Sequence, residues 1–179
     1  MYFKLIGFIV KFSTGIFVGI NNHYSTVVFG AALLYDETSP SFEWLFQTFL
    51  KCMQDKHPLT LMTDQAPAIK AAARNVLPKT YHTLCSWHIS QNAKSNLGSL
   101  ATSIFFDELQ HLINYVDDEK QFEYSWSRMI SKCFGHRDAS EISWLNLLYS
   151  NRRQWSSAWV KHHFTAGKKT TQLLSLIHI

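Results

Sequence analysis

One acidic residue, Asp64, stands where a carboxylate can bind a metal ion. It follows a short apolar run, residues 59–63, and precedes a helix that Pro67 signals. In open α/β sheets, ligands bind outside the carboxyl ends of the strands. A carboxylate at such a position can hold Mg²⁺ together with other oxygen ligands. An aspartate before a helix also serves as a helix cap, and on position alone we favour the capping role.

A second group of side chains, His82, Cys85 and His88, has the chemistry of a zinc site. Thiolate and imidazole are zinc ligands, and the spacing brings Cys85 and His88 near each other at the end of a predicted strand. A complete site needs four ligands, or three and a water, and no second Cys/His pair has zinc-finger spacing. We therefore favour a structural role, with a buried cysteine and a histidine bonded to the backbone.

Other catalytic chemistries find little support in the sequence. There is no Gly-x-Ser-x-Gly elbow of a serine hydrolase, and there is no glycine-rich phosphate loop or dinucleotide fingerprint. Four tryptophans, Trp126, Trp144, Trp155 and Trp159, recur in the second half of the chain. Their spacing predicts core positions rather than a stacking platform for nucleic-acid bases.

The elements that must position these residues fall into two blocks. The pattern of five runs of residues predicts β-strands: residues 3–12, 16–20, 26–34, 59–63 and 81–85. The third run is almost continuously apolar, which predicts a strand buried on both faces. Two helices interrupt the strands, one capped by Ser39 with Pro40 in its first turn, the other running from Pro67 to Pro78. After His88 the pattern is helical throughout, and Asp118 is placed to cap one of these helices. The fold class predicted is α/β, a sheet domain followed by helices.

The amino-acid composition limits the classes of protein to which this chain can belong. Of 179 residues, 46% are apolar and 17% charged, which is enough apolar material for a sizeable core. The net charge of +4 permits contact with nucleic acid without requiring it. Three widely spaced cysteines argue against a disulfide framework and for a reducing compartment. No stretch reaches transmembrane length, so no membrane partner is expected.

Several segments, in this order along the chain, resemble Mutator-like (MULE) transposase domains. They are residues 17–23, 30–34, 36–38, 42–46, 63–65 and 85–89, the last containing a Cys-x-x-His signature at Cys85 and His88. Further segments at 122–126, 144–149, 153–155, 164–167 and 170–172 resemble the far-red-impaired-response family of plants. Members of that family are domesticated transposases that act as transcription regulators. The resemblance spans residues 16–172.

The resemblance implies an RNase H-like mixed sheet with an α-helical insertion after the Cys-x-x-His segment. It divides the chain into a partial transposase core with a divergent first strand (residues 1–92), a helical insertion region (93–172) and a divergent tail outside the family pattern (173–179).

The chemistry that the resemblance implies is phosphoryl transfer to DNA, in which three carboxylates hold two metal ions. Asp64 matches the second carboxylate. The first belongs on the first strand, yet residues 1–35 contain no Asp or Glu. The third is expected after residue 172, where the tail diverges, and Glu123 is a weak candidate for its replacement. Because such a site works as a unit, we expect no catalysis. No cofactor is expected for this chain, Mg²⁺ or Mn²⁺ would be needed for activity, and zinc belongs to flanking domains of full-length relatives.

The function expected is therefore that of a catalytically inactive, truncated transposase-derived domain of a nuclear transcription regulator. Its expected partners are regulator proteins, in homo- or heterodimers, and DNA through weak or indirect contact. The main alternative is an active metal-dependent transposase or nuclease. A third possibility is a small zinc module built on His82, Cys85 and His88.

Overall fold

A five-stranded mixed sheet forms the centre of the first part of the chain. The computed structural model describes the backbone of residues 6–11, 14–21, 23–135 and 142–171, and the side chains of all of these except 6–11. The strands are β1 (Ile6–Lys11), β2 (Thr14–Ile20), β3 (Thr26–Leu33), β4 (Thr60–Thr63) and β5 (Tyr81–Leu84). Their order is β3-β2-β1-β4-β5. The first three are antiparallel, while β4 runs parallel to β1 and β5 parallel to β4. The predicted strands are confirmed within the described residues.

The prediction that the third apolar run is buried on both faces is wrong. In the described sheet β3 is an edge strand, and Leu33 is 82% exposed. β2, which pairs with both β1 and β3, is more completely buried than β3. An apolar run reports side-chain character only, whereas burial depends on which strands become neighbours.

Two helices, α1 (Ser39–Cys52) and α2 (Pro67–Val76), bury their apolar faces with the sheet in one core. Phe17 of β2 stacks on Phe49 of α1, with ring centroids 4.2 Å apart. The predicted cap of α1 is wrong by one residue, because Thr38 is the N-cap and Ser39 is already helical. The Thr38 hydroxyl donates to the Asp36 carboxylate instead of capping the helix.

The described residues divide into two compact units. One consists of the residues up to Trp87 together with residues 163–171, and the other is His88–His162. The predicted domain boundaries after residues 92 and 172 concern family segments and stay predictions.

The second unit is helical. Its elements are α3 (Ser86–Leu97, which begins in the first unit), α4 (Ser103–Asn114), α5 (Glu119–Phe134), α6 (Ser143–Ser150) and α7 (Ser157–Val160), with 3₁₀ turns at Gly98–Leu100 and Arg152–Gln154. The Asp118 carboxylate accepts a hydrogen bond from the Gln121 backbone N–H at 2.8 Å, so the predicted cap of α5 is confirmed. Among the residues described, no helix has both the length and the apolar character needed to cross a bilayer.

Aromatic side chains form much of the core of this helical unit. Phe122 is fully buried, and its ring lies 5.0 Å from that of Trp159, 5.6 Å from Trp155 and 6.0 Å from Trp126. Trp144 is buried as well. The prediction that the tryptophans serve as core is confirmed for Trp126, Trp144 and Trp155, and Trp159 is partly buried.

Candidate functional site

Asp64 follows directly on β4 and leads the chain into α2. Its Oδ1 accepts a hydrogen bond from the backbone N–H of Ala66 at 3.0 Å. Ala66 is the N-cap residue of α2 and has no side chain able to cap. The aspartate therefore satisfies a backbone donor just before the helix, as short polar side chains do at helix starts.

The strand beside Asp64 supplies no second carboxylate. β4 pairs with β1 in parallel register, Ile6 opposite Leu61 and Gly7 opposite Met62. None of the six residues of β1 is acidic. In the parts of the chain that the structure describes, no group of three or more His, Cys, Asp and Glu side chains could hold a metal ion. The donors around Asp64 therefore do not fit a resident divalent cation.

His82 is bonded to the end of β4 through the hydroxyl of Thr63. The distance from His82 Nε2 to Thr63 Oγ1 is 2.7 Å, and the same hydroxyl donates to the Asp64 carbonyl oxygen at 2.8 Å. Since a hydroxyl has one proton to donate, Nε2 of His82 must carry the proton of this bond. Burial of the ring, with a smaller contribution from the charge of Lys70, lowers the pKa of His82 to about 4. The partner of the ring at Nε2 is thus the side chain of Thr63.

Cys85 is completely buried next to a segment far along the chain. The backbone N–H and the hydroxyl of Thr171 lie 3.3 Å and 3.4 Å from Cys85 Sγ, and both donate to it. The hydroxyl of Thr170 is 3.5 Å from the same sulfur. Cys85 N–H donates to the carbonyl oxygen of Thr63, which extends the pairing of β5 with β4 by one residue. His88, three residues further on, lies partly buried in the first turn of α3.

Residues 163–171, which we call the return segment, run back to β4 and β5. The hydroxyl of Thr60 donates to the Phe164 carbonyl at 2.6 Å. The His163 ring stacks on Tyr81 at 3.4 Å between centroids, and burial raises the pKa of Tyr81 to about 12. Ser86 N–H donates to the carbonyl oxygen of Lys169. The partners of Cys85 are therefore brought there by a segment that the sequence analysis assigns to the helical insertion region, residues 93–172, without predicting its contact with the strands.

Gly167 is the local sequence signal that could have indicated the tight turn within the return segment. Ala166 and Gly167 both have positive φ, 51° and 70°, and Lys168 N–H donates to the Thr165 carbonyl. Two successive left-handed residues with this bond are typical of a type I′ turn, for which glycine is favoured. Ala166 also packs with Met62 and Cys85.

Glu123 lies on α5 in the helical unit and takes part in a polar network. Tyr149 Oη donates to its Oε2 at 2.5 Å, and Arg152 Nε lies 3.2 Å from its Oε1. The Arg152 guanidinium sits 4.2 Å from the centre of the Tyr149 ring. The hydrogen bond to Glu123, followed by burial, raises the pKa of Tyr149. Both carboxylate oxygens of Glu123 are thus engaged by neighbouring side chains, and its predicted role as a substitute carboxylate stays a prediction.

Comparison with known families identifies the class of the chain. Residues 10–92, which carry β2–β5, Asp64, His82 and the Cys-x-x-His signature, match the MULE transposase domain. The chain is also similar to curated proteins of Arabidopsis thaliana over most of its length. It is 35% identical to Protein FAR1-RELATED SEQUENCE 4 over 154 residues, 85% of this chain and 20% of that protein. The values are 31% over 157 residues for Protein FAR1-RELATED SEQUENCE 5, covering 87% and 19%, and 29% over 166 residues for Protein FAR-RED IMPAIRED RESPONSE 1, covering 90% and 19%. The chain thus spans about a fifth of the length of these relatives.

Among solved structures, the chain is similar to the catalytic core domain of BIV integrase. The TM-score is 0.31 and the sequence identity 16%, over 72% of this chain and 97% of that one. A similarity of this size does not assign the fold, which is described by the mixed sheet and helices above.

Proposed function

We propose that this chain is a transposase-derived domain of a nuclear transcription regulator of the far-red-impaired-response type, and that it does not catalyse transposition. The match of residues 10–92 to the MULE transposase domain and the similarity of the chain to the FAR1-related proteins support the proposal. The proposal includes an RNase H-like fold. The order β3-β2-β1-β4-β5, with three antiparallel strands and two more parallel to β1, agrees with that expectation.

The composition of β1 is the observation that supports the proposed loss of catalysis. This strand is the parallel neighbour of β4, at whose end Asp64 stands, and it contains no carboxylate. Two-metal phosphoryl transfer requires several carboxylates around the same pair of ions. Asp64 is instead engaged in the turn that leads into α2. We propose that this chain binds no cofactor and that zinc is bound by flanking domains of full-length relatives.

Isothermal titration of Mn²⁺ into the purified chain tests this proposal, with Asp64→Asn as the variant. Asp55→Asn is the matched control, since Asp55 is an exposed aspartate of the same unit. We expect the three proteins to give the same heats, because a lone carboxylate binds a divalent ion weakly. Cleavage of plasmid and oligonucleotide DNA in Mn²⁺ should be absent from all three.

Mn²⁺ binding and strand cleavage that are lost in Asp64→Asn but kept in Asp55→Asn would overturn the proposal. The chain would then be a metal-dependent nuclease or transposase domain. Zinc bound stoichiometrically to the purified chain, and lost on replacing Cys85 by alanine, would instead favour the zinc module.

The proposed contact with DNA is weak and electrostatic, and the main proposed partners are other regulator proteins, in homo- or heterodimers. With a net charge of +4, the chain should retard a DNA duplex at a salt concentration of roughly 20 mM and release it by about 150 mM, independently of base sequence. A mobility-shift titration over this range measures the effect. Tight, sequence-dependent retention at the higher salt concentration would show direct recognition and contradict this part of the proposal.

A further inference from the structure

An open apolar groove lies at the corner where β3 ends and α1 begins. Its volume is about 410 Å³, and it is lined by Leu33, Leu34, Tyr35, Pro40, Ser41 and Trp44. Three of these side chains are large, apolar and strongly exposed: Tyr35 at 100%, Leu33 at 82% and Trp44 at 54%. Single exposed apolar side chains are common on proteins, but a group of them around one concavity is typical of a binding surface. We call this surface the corner groove.

The stretch of sequence that supplies the corner groove has a charge opposite to that of the chain as a whole. Residues 12–50 contain no Lys or Arg and three acids, Asp36, Glu37 and Glu43, in a protein of net charge +4. The Asp36 carboxylate is held beside the groove, because the hydroxyl of the lining residue Ser41 donates to its Oδ1 at 2.5 Å. Thr38 donates to the same oxygen through its backbone N–H and its hydroxyl. These hydrogen bonds, that from Ser41 first, lower the pKa of Asp36 and keep it ionised.

The backbone next to the groove can pair with another strand. Within the described residues β3 pairs with β2 alone, so its outer edge is open. A bulge between Val28 and Gly30 interrupts the regular pairing, which leaves residues 30–33 as the regular part leading into the groove. An extended peptide adds to such an edge through main-chain hydrogen bonds, while pockets beside it select side chains.

We propose that the corner groove binds an extended, basic segment of another protein. In this complex an arginine of the segment lies against Tyr35 and Trp44, with its charge directed to Asp36 and Glu37, and its backbone pairs with residues 30–33. Arginine suits the site because its planar guanidinium stacks on aromatic rings and bonds to carboxylates. Nucleic acid is disfavoured because its phosphates carry the same sign of charge as the rim. A second copy in symmetric pairing is disfavoured too, because residues 12–50 have no Lys or Arg to offer.

The test uses the full chain and three synthetic ten-residue peptides, followed by fluorescence polarisation. The first alternates arginine with valine, and the second has citrulline, a neutral isostere, in place of each arginine. The third keeps the arginines but has methylated backbone nitrogens at alternate residues, which removes the donors for pairing. We expect the first peptide to bind, with affinity falling as salt rises, and the other two to bind at least fivefold more weakly.

Replacing Tyr35 by serine should weaken binding of the arginine peptide about fivefold, the loss of one exposed cation–π contact. Tyr24→Ser is the matched control, since Tyr24 is a 73% exposed tyrosine of the same unit, and it should bind as the unchanged chain does. Both changes lie at exposed positions, so circular dichroism spectra should coincide. Equal binding of the citrulline peptide, equal binding by Tyr35→Ser, or no binding at all would overturn the proposal. Self-association of the chain that is lost in Tyr35→Ser would also overturn it and assign the groove to a second copy.

Discussion

Replacement of Trp155 by alanine should lower the free energy of unfolding of the helical unit by about 3–5 kcal/mol. Trp155 is only 3% exposed and packs edge-on against Phe122, with further contact to Trp126. Its indole N–H donates to the carbonyl oxygen of Leu148 at 2.9 Å. The variant loses the buried surface of the ring, leaves a cavity among aromatic neighbours and leaves that carbonyl without this donor.

Urea unfolding followed by circular dichroism measures this effect. Trp44→Ala is the matched control, because the Trp44 side chain is 54% exposed and its removal should cost less than about 1 kcal/mol. Trp155→Phe separates the two contributions, since it keeps most of the apolar contact and removes only the indole donor. A Trp155→Ala variant as stable as the Trp44→Ala control would contradict the assignment of this tryptophan to the core.

The stability of the first unit should fall as the pH drops from about 6.5 to about 4, and His82 should be a main cause. The His82 ring is held neutral in the folded chain, where its pKa is lowered to about 4, while in the unfolded chain it has its ordinary value near 6.5. Between these two values the unfolded state binds more protons, so the free energy of unfolding decreases with decreasing pH. A difference of this size amounts to about 3 kcal/mol once the pH is below about 4.

The variant His82→Gln, which does not titrate, isolates this contribution. We expect its advantage over the unchanged chain to grow between pH 7 and pH 4 in parallel unfolding experiments. His23→Gln, at an exposed histidine of the same unit, should follow the pH dependence of the unchanged chain. If His82→Gln and the unchanged chain lose stability equally over this range, His82 is not protected from protonation in the folded state.

Local patterns predicted the elements well because they follow from interactions between neighbours in the chain. The positions of β2, β4 and β5, the proline start of α2 and the Asp118 cap all depend on a few adjacent residues. Two predictions failed, one over the exact boundary of a helix and one where the outcome depends on more distant groups. Ser39 was expected to cap α1, but the chain begins the helix one residue earlier and Thr38 bonds to Asp36 instead. The third apolar run was expected to be buried on both faces, but it became the open edge of the described sheet.

The candidate site shows the same difference between what the sequence predicts and what only the tertiary structure decides. The absence of Asp and Glu from residues 1–35 is a property of the sequence, so the prediction that catalysis is lost could be made without coordinates, and it stays a prediction. The surroundings of Cys85 could not be predicted from the sequence. Thr171 lies 86 positions further along the chain, after a whole helical unit, and reaches the Cys85 sulfur because the return segment covers β4 and β5. Contacts of this kind arise from the packing of distant segments, and residue type and spacing contain no direct measure of it.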